Sequence, residues 1–236
     1  MSTEHKLVFD IETIGKDFSQ LDEMSQEYML QYAADDEEKE EIKEHLGFYP
    51  LTGEIVAIGI LNPDTKKGCV FVQQGHDALI PQNIASITEA DITLESGSEK
   101  DILQKFWASV EHYNYFISFN GRGFDVPYLV VRSAVHGIRP SKDLLANRYV
   151  NSQPMQAKHI DLLDQLTFYG ASRRKFSLHM WSKAFDIKSP KEEGVTGDEV
   201  GELFASGRVA DIARYNAGDL LATAALYEKW ESFMHF

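Results

Sequence analysis

The sequence predicts an α/β fold: one domain over residues 1–236, built on a mixed central sheet flanked by helices. Three observations predict it. Two β-rich runs joined by a turn follow an N-terminal strand, which suits antiparallel pairing. From Ser98 onward short apolar runs alternate with helical patterns, and the chain closes in a long helical segment. At 236 residues, 43% apolar and 25% charged, the chain can enclose a substantial core.

Lys6-Leu7-Val8-Phe9-Asp10-Ile11 is the opening strand. Asp17 to Leu46 changes character: eleven acids and two lysines accompany Met24, Tyr28, Met29, Tyr32, Ile42 and Leu46 at rough helical spacing, an acidic helical insertion placed over residues 17–49. Glu54 to Leu61 and Gly68 to Val72 are β-rich and meet at the turn signal Asn62-Pro63-Asp64, giving a hairpin. Ser98 caps a helix running to His112, with Ile102, Phe106 and Val110 on one face. Tyr115 to Phe119 is a strand, broken by Asn120-Gly121-Arg122-Gly123, and Pro127 suits the first turn of a helix over Asp125 to Val135. A strand or short helix follows at His159 to Leu166, then helices over 177–185, 198–205 and 209–233.

No apolar run approaches the length that crosses a bilayer, and the N-terminus lacks a signal-peptide pattern, so the expectation is a cytoplasmic protein without a membrane partner. The single cysteine, Cys69, excludes an intrachain disulfide or a cysteine-based zinc site and reads as a small packed hydrophobe. A net charge of −14 argues against a polyanionic partner until its distribution is considered. The first hundred residues hold 21 acids against 7 basic residues, whereas residues 120–183 hold ten cations against four acids. A nucleic-acid groove is therefore permitted in the second half.

Asp10 and Glu12 end the first strand, and side chains two apart emerge on one face of a sheet. Hard divalent cations take oxygen ligands, and a carboxylate pair of this kind becomes a metal site when further acids approach. Taken alone, it is equally a pair of solvated strand-end acids. Asp125 adds a carboxylate at a strand-to-helix turn, where it could also simply cap the helix. Tyr215 and Asp219 lie four apart in the last helix, one turn from each other on the same face. A phenol and a carboxylate so placed can orient a water beside a metal, or be a packed tyrosine beside a surface acid. His159 and Asp161 read as structural, Trp107 and Trp181 as core, and Ser172-Arg173-Arg174-Lys175 as a phosphate contact or a solvated loop.

Phe9-Asp10-Ile11-Glu12-Thr13, Phe119-Asn120-Gly121-Arg122-Gly123-Phe124-Asp125-Val126-Pro127 and Tyr215-x-x-x-Asp219 resemble, in order, the three motifs of the DEDD 3′-5′ exonucleases of the ribonuclease H-like fold. The chain is most similar to the proofreading-exonuclease-like domains related to family B DNA polymerases. His159-Ile160-Asp161 and Phe176-Ser177-Leu178 extend the resemblance over nearly the whole chain, and the acidic insertion departs from it. The resemblance implies that Asp10, Glu12, Asp125 and Asp219 are catalytic acids holding two divalent metal ions, Mg²⁺ or Mn²⁺. It implies that Tyr215 is the tyrosine of the DEDDy branch, since Arg214 stands where the histidine branch has its histidine. Thr13, Asn120, Arg122 and Phe124, within these motifs, and Arg173, Arg174 and Lys175 are the expected substrate contacts.

The expected activity is release of nucleoside monophosphates from the 3′ end of single-stranded nucleic acid, DNA in preference to RNA, with no protein partner indicated. Two alternatives remain at this stage: a catalytically silent nucleic-acid-binding subunit on the same fold, and an endonuclease of the ribonuclease H-like type.

Overall fold

A computed structural model describes residues 4–74, 91–188 and 197–235. Six strands form one sheet among the described residues, ordered β4-β3-β2-β1-β5-β6. They are β1 (Lys6–Gly15), β2 (Gly53–Leu61), β3 (Lys67–Gln73), β4 (Asp91–Gly97), β5 (Tyr115–Ser118) and β6 (Lys158–Asp161). β1 and β3 run antiparallel to β2, while β4 is parallel to β3 and β5 lies parallel between β1 and β6. The sheet is therefore mixed: β2–β3 is a hairpin, β1 and β2 are antiparallel across the helical insertion, and β1, β5 and β6 are parallel.

The helices are α1 (Glu23–Leu30), α2 (Asp36–Glu44), α3 (Glu99–Val110), α4 (Asp125–Val135), α5 (Leu162–Leu166), α6 (Leu178–Ala184), α7 (Val200–Ala205) and α8 (Val209–Phe233). Ser98 caps α3 in a reciprocal capping box with Asp101. None of the described helices is long and apolar enough to cross a membrane.

Alternation along β1 divides the core in two. Leu7, Phe9 and Ile11 pack with Phe106, Trp107, Val126 and Leu129 of α3 and α4 on one side of the sheet. Val8 packs on the other side with Ile212, Ala213, Ala217 and Leu220 of α8. Each fully buried Leu or Phe contributes about 1.5–3 kcal/mol. Cys69 is half-buried beside the first cluster, and burial pushes its thiol up to about 11.

The acidic insertion is helical, as its spacing predicts, with Asp22 and Asp35 capping α1 and α2. Its apolar spacing does not make a core face. Met24, Tyr28 and Tyr32 point to solvent, Tyr32 at 87% exposure, and neither helix buries a residue. What anchors the insertion is its C-terminal end. Leu46 is buried, Gly47 O accepts from Thr13 Oγ1 at 2.9 Å and from Tyr128 OH at 3.1 Å, and Pro50 O accepts from Arg132. Arg132 is itself buried against Glu99, with its Nε donating to Glu99 Oε1 at 2.8 Å.

β4 carries no strong sequence signal. It is an edge strand in which only Ile92 and Leu94 turn inward, too short an alternation to distinguish from a loop.

Candidate active site

β1 is longer than β5. Only Lys6, Leu7 and Val8 pair with β5, so beyond Val8 this edge of β1 is open. Asp10 and Glu12 continue the Val8 face, under α8, and Ile11 continues the opposite one. The β1–β2 register shifts between Glu12 and Thr13, where Val56 is the extra residue of β2, while β1 itself keeps alternating, with Ile14 back on the Val8 face.

α8 brings its side chains down onto this face. Single carboxylate oxygens of Asp10, Glu12 and Asp219 lie within 4.8 Å of one another. Glu12 is buried and Asp10 and Asp219 are half-buried. Burial, then the neighbouring Asp125, Glu12 and Asp219, raises the Asp10 carboxyl well above the usual range. Burial, then Asp219, does the same to Glu12, against a lowering hydrogen bond from Asn216. Carboxylates packed this closely raise one another's proton affinity, and a donor set of oxygens alone fits a hard divalent cation.

Asp125 arrives differently. It opens α4, on the far side of the sheet, and does not cap the helix. Instead its Oδ1 accepts from the Ile11 backbone N–H at 3.1 Å, a donor left over by the open edge of β1. Burial raises its carboxyl to about 7.

The turn that delivers Asp125 is organised by Asp161. Its carboxylate accepts from the backbone N–H of Asn120 at 3.0 Å, of Arg122 at 2.9 Å and of Leu163 at 2.9 Å. The left-handed residue of this turn is Asn120, φ 63°, and not a glycine. Gly121 is needed for closeness to the protein's own interior, since a Cβ there would stand 2.2 Å from Ser118 Oγ. Beneath it His159, whose ring nitrogen is pushed down to about 3 by burial, stays neutral. Its Nδ1 donates to Leu144 O at 3.0 Å and its Nε2 accepts from Ser118 Oγ at 2.7 Å. His159 and Asp161 are thus structural supports, as their sequence context predicts.

Tyr215 lines a lobe of about 150 Å³ with Asp10, Asp219, Phe119 and His179. Burial, then the Asp219, Glu12 and Asp10 carboxylates, raises its hydroxyl far above the usual range, so it stays protonated. An adjoining lobe of about 540 Å³ shares Asp10, Phe119, Ser177 and Leu178, and adds Asn120, Phe124, Asp125, Lys175 and Phe176.

Of the expected substrate contacts, Asn120, Phe124 and Lys175 line this cleft. Arg173 and Arg174 are exposed beside Lys175. Thr13 and Arg122 are placed otherwise. The Thr13 hydroxyl is spent on Gly47 O, and the Arg122 guanidinium donates to Leu144 O at 3.0 Å and Leu145 O at 3.2 Å. Asn216 was not foreseen. Fully buried, it donates from Nδ2 to Asp10 Oδ2 at 2.9 Å and to Glu12 Oε1 at 3.4 Å. Gly59, the β2 partner of Asp10, makes room for it, because a Cβ there would stand 1.9 Å from Asn216 Oδ1. Only the spacing of three between Asn216 and Asp219 hints at this in the sequence.

Residues 69–235 match the sequence model of a family described as a predicted 3′-5′ exonuclease related to the exonuclease domain of PolB. The chain belongs to that family. Asp10 and Glu12 precede the matched stretch of this PolB-exonuclease-like family, whereas Asp125, Tyr215 and Asp219 lie within it. The fold is shared with the family B DNA polymerase of the hyperthermophilic archaeon Pyrobaculum calidifontis, at 18% identity and a TM-score of 0.59 over 98% of this chain. The chain spans 25% of that polymerase's length. No curated protein matches the sequence.

Proposed function

We propose that this chain, as one domain over residues 1–236, is a metal-dependent 3′-5′ exonuclease that releases nucleoside monophosphates from single-stranded ends. The observation that carries the reading is the convergence of Asp219 with the sequence-distant pair Asp10 and Glu12, beside a cleft that also receives Asp125 and Tyr215. Asp10, Glu12, Asp219 and Asp125 would hold two divalent ions, Mg²⁺ or Mn²⁺. Ions bound there supply a low-pKa water and charge stabilisation for the leaving 3′ oxygen.

The remaining work belongs to the chain. Asn216 fixes the Asp10 and Glu12 carboxylates toward the cleft through its two amide hydrogens. Tyr215, kept protonated, orients the attacking water with its hydroxyl, and is a positioner of that water instead of a full general base. Phe119, Phe124, Phe176 and Leu178 form apolar walls against which the terminal base and sugar are held. In-line attack on the last phosphodiester yields a nucleoside 5′-monophosphate and a strand with a new 3′-hydroxyl.

The test is a digestion series with Mg²⁺ and with Mn²⁺ on matched single-stranded DNA and RNA oligonucleotides, with free and with blocked 3′ ends. Mononucleotides from free ends alone support the proposal. Cleavage of 3′-blocked strands at internal bonds would replace it with an endonuclease, and binding without any release would replace it with a silent binding subunit.

A further inference from the structure

α5 ends at Leu166 with Thr167 as its C-cap, and the three residues after the cap have positive φ: Phe168 at 52°, Tyr169 at 56° and Gly170 at 95°. This conformation costs a side chain dearly, and the first position past a helix end is where glycine is the usual solution. Here that position is Phe168. The turn is firmly held, since Thr167 O accepts from the N–H of Gly170 at 3.0 Å and of Ser172 at 3.0 Å. Tyr169 has internal partners: its hydroxyl accepts from Gln165 at 2.8 Å, and its ring packs 4.9 Å from Tyr149. Phe168 has no ring contact among the described residues, belongs to neither core cluster, and stands 55% exposed. Backbone strain is being kept in order to hold a phenyl ring in water.

The surroundings say what such a ring is for. From Gln165 to Phe185 the sequence holds four cations and no acid, in a chain of net charge −14. Arg173, Arg174 and Lys175 are exposed, and the Arg174 guanidinium sits 4.9 Å from the Phe176 ring. Lys175 and Phe176 then line the cleft beside Asp10 and Asp125. The segment thus leads from an exposed ring, through three cations, to a second ring at the acids. Phosphates at regular intervals with flat bases between them match that order, and an acidic protein surface has no use for the unburied ring.

We propose that residues 168–176 form a binding track for the part of a single-stranded polynucleotide that lies upstream of its 3′-terminal nucleotide, with Phe168 as a stacking platform for a base. The inference rests on the exonuclease reading for its polarity. Its content is a contact several nucleotides from the reacting bond, so strands too short to reach Phe168 do not use it.

Phe168→Gly is the informative variant, because glycine removes the ring and also relieves the left-handed strain. We expect its melting temperature to match or exceed that of the parent protein. Its affinity for 5′-fluorescein-labelled dT12, read by anisotropy in EDTA, falls about tenfold, the scale of one lost base stack, and by at least fivefold more than its affinity for dT3. Phe168→Trp restores dT12 binding, and its added fluorescence is quenched by the strand. The same comparison with rU12 places RNA on or off the track, and heparin supplies phosphate-like charge without bases. Equal losses on dT12 and dT3, no loss on dT12, or an equal loss on heparin would each overturn the track. Failure of the underlying reading looks different: dT12 binding depends on Phe168, yet the parent protein with Mn²⁺ releases no mononucleotide from any strand.

Discussion

The candidate acids come together on different terms: Asp10, Glu12 and Asp219 form one close group, and Asp125 reaches the same cleft from outside it. Asp10, Glu12 and Asp219 sit on the α8 side of the sheet, where the middle of β1, which runs on to Gly15 past the end its sequence predicts, and a face of α8 oppose carboxylate to carboxylate, and the Asn216 amide donates to Asp10 and Glu12. Asp125 comes from the other side, around the open edge of β1, and holds the Ile11 backbone N–H while it faces the cleft. The trio is a crowd of carboxyls that raise one another, whereas Asp125 is both a candidate ligand and a brace between β1 and α4. The difference teaches that deleting an acid has opposite structural consequences at the two places.

The largest effect separates them most sharply. Asp219→Ala should lower mononucleotide release by on the order of 10⁴-fold, the scale for breaking a site whose members act as a unit. Because it removes one of three crowded carboxylates, melting in EDTA should stay constant or rise. A large fall in the metal-free melting temperature would make Asp219 a structural residue and dissolve the contrast.

Tyr215→Phe comes next. The ring and its packing remain and only the hydroxyl goes, so turnover should drop about ten- to a thousandfold, within or below the usual range for a positioned proton-transfer group, with melting and substrate binding nearly unchanged. Full activity would leave Tyr215 as a packing residue of α8.

Asn216 extends the comparison to the support of the trio. Asn216→Leu keeps approximate volume and deletes both amide donors, so Mn²⁺ affinity by calorimetry should weaken about 10- to 100-fold, the usual result of removing a group that orients metal ligands. Phe168→Gly in the same experiment should bind Mn²⁺ as the parent does, which distinguishes the trio from the strand-binding segment.

Much of this arrangement was legible in the sequence, and what was not has a physical reason. Strand alternation put Asp10 and Glu12 on one face, helix spacing paired Tyr215 with Asp219, and the capping signal at Ser98 located α3. Thr13 and Arg122 were expected at the substrate because they neighbour motif acids. Adjacency to a motif acid does not place a side chain at the substrate: alternation turns Thr13 to the face opposite Glu12, where Gly47 O takes its hydroxyl, and the carbonyls of Leu144 and Leu145 take Arg122. Asn216 was invisible because a helical asparagine has no distinctive pattern, and its role exists only where α8 crosses Gly59 and Asp10. The strain at Phe168 likewise belongs to φ, which no residue type announces.

The smallest expected effect tests the brace against the charge. Asp125 is raised to about 7 by burial, so in the metal-free protein its ionisation opposes folding: unfolded, the carboxyl releases its proton near the ordinary value, and folded only near pH 7. The unfolded state therefore binds fewer protons between about pH 4 and 7, and stability is lost as pH rises through that window. Asp10 and Glu12, raised for the same reason, add to the slope, and the acids titrate as a set. His159 works the other way. Pushed down to about 3, it contributes stability that is present above the unfolded value near 6.5 and lost as pH falls. A single melting profile mixes the two. The comparison that isolates the acids is Asp125→Asn against the parent in EDTA from pH 5 to pH 8, because both proteins carry the same His159. The amide oxygen of asparagine still accepts from Ile11 N–H, so the brace survives while the charge is gone. The variant should lose less melting temperature toward pH 8 than the parent does, and saturating Mn²⁺ should erase much of the parent's loss, since metal binds the ionised carboxylates. A parallel pair of profiles would mean that Asp125 serves this fold by its hydrogen bond alone.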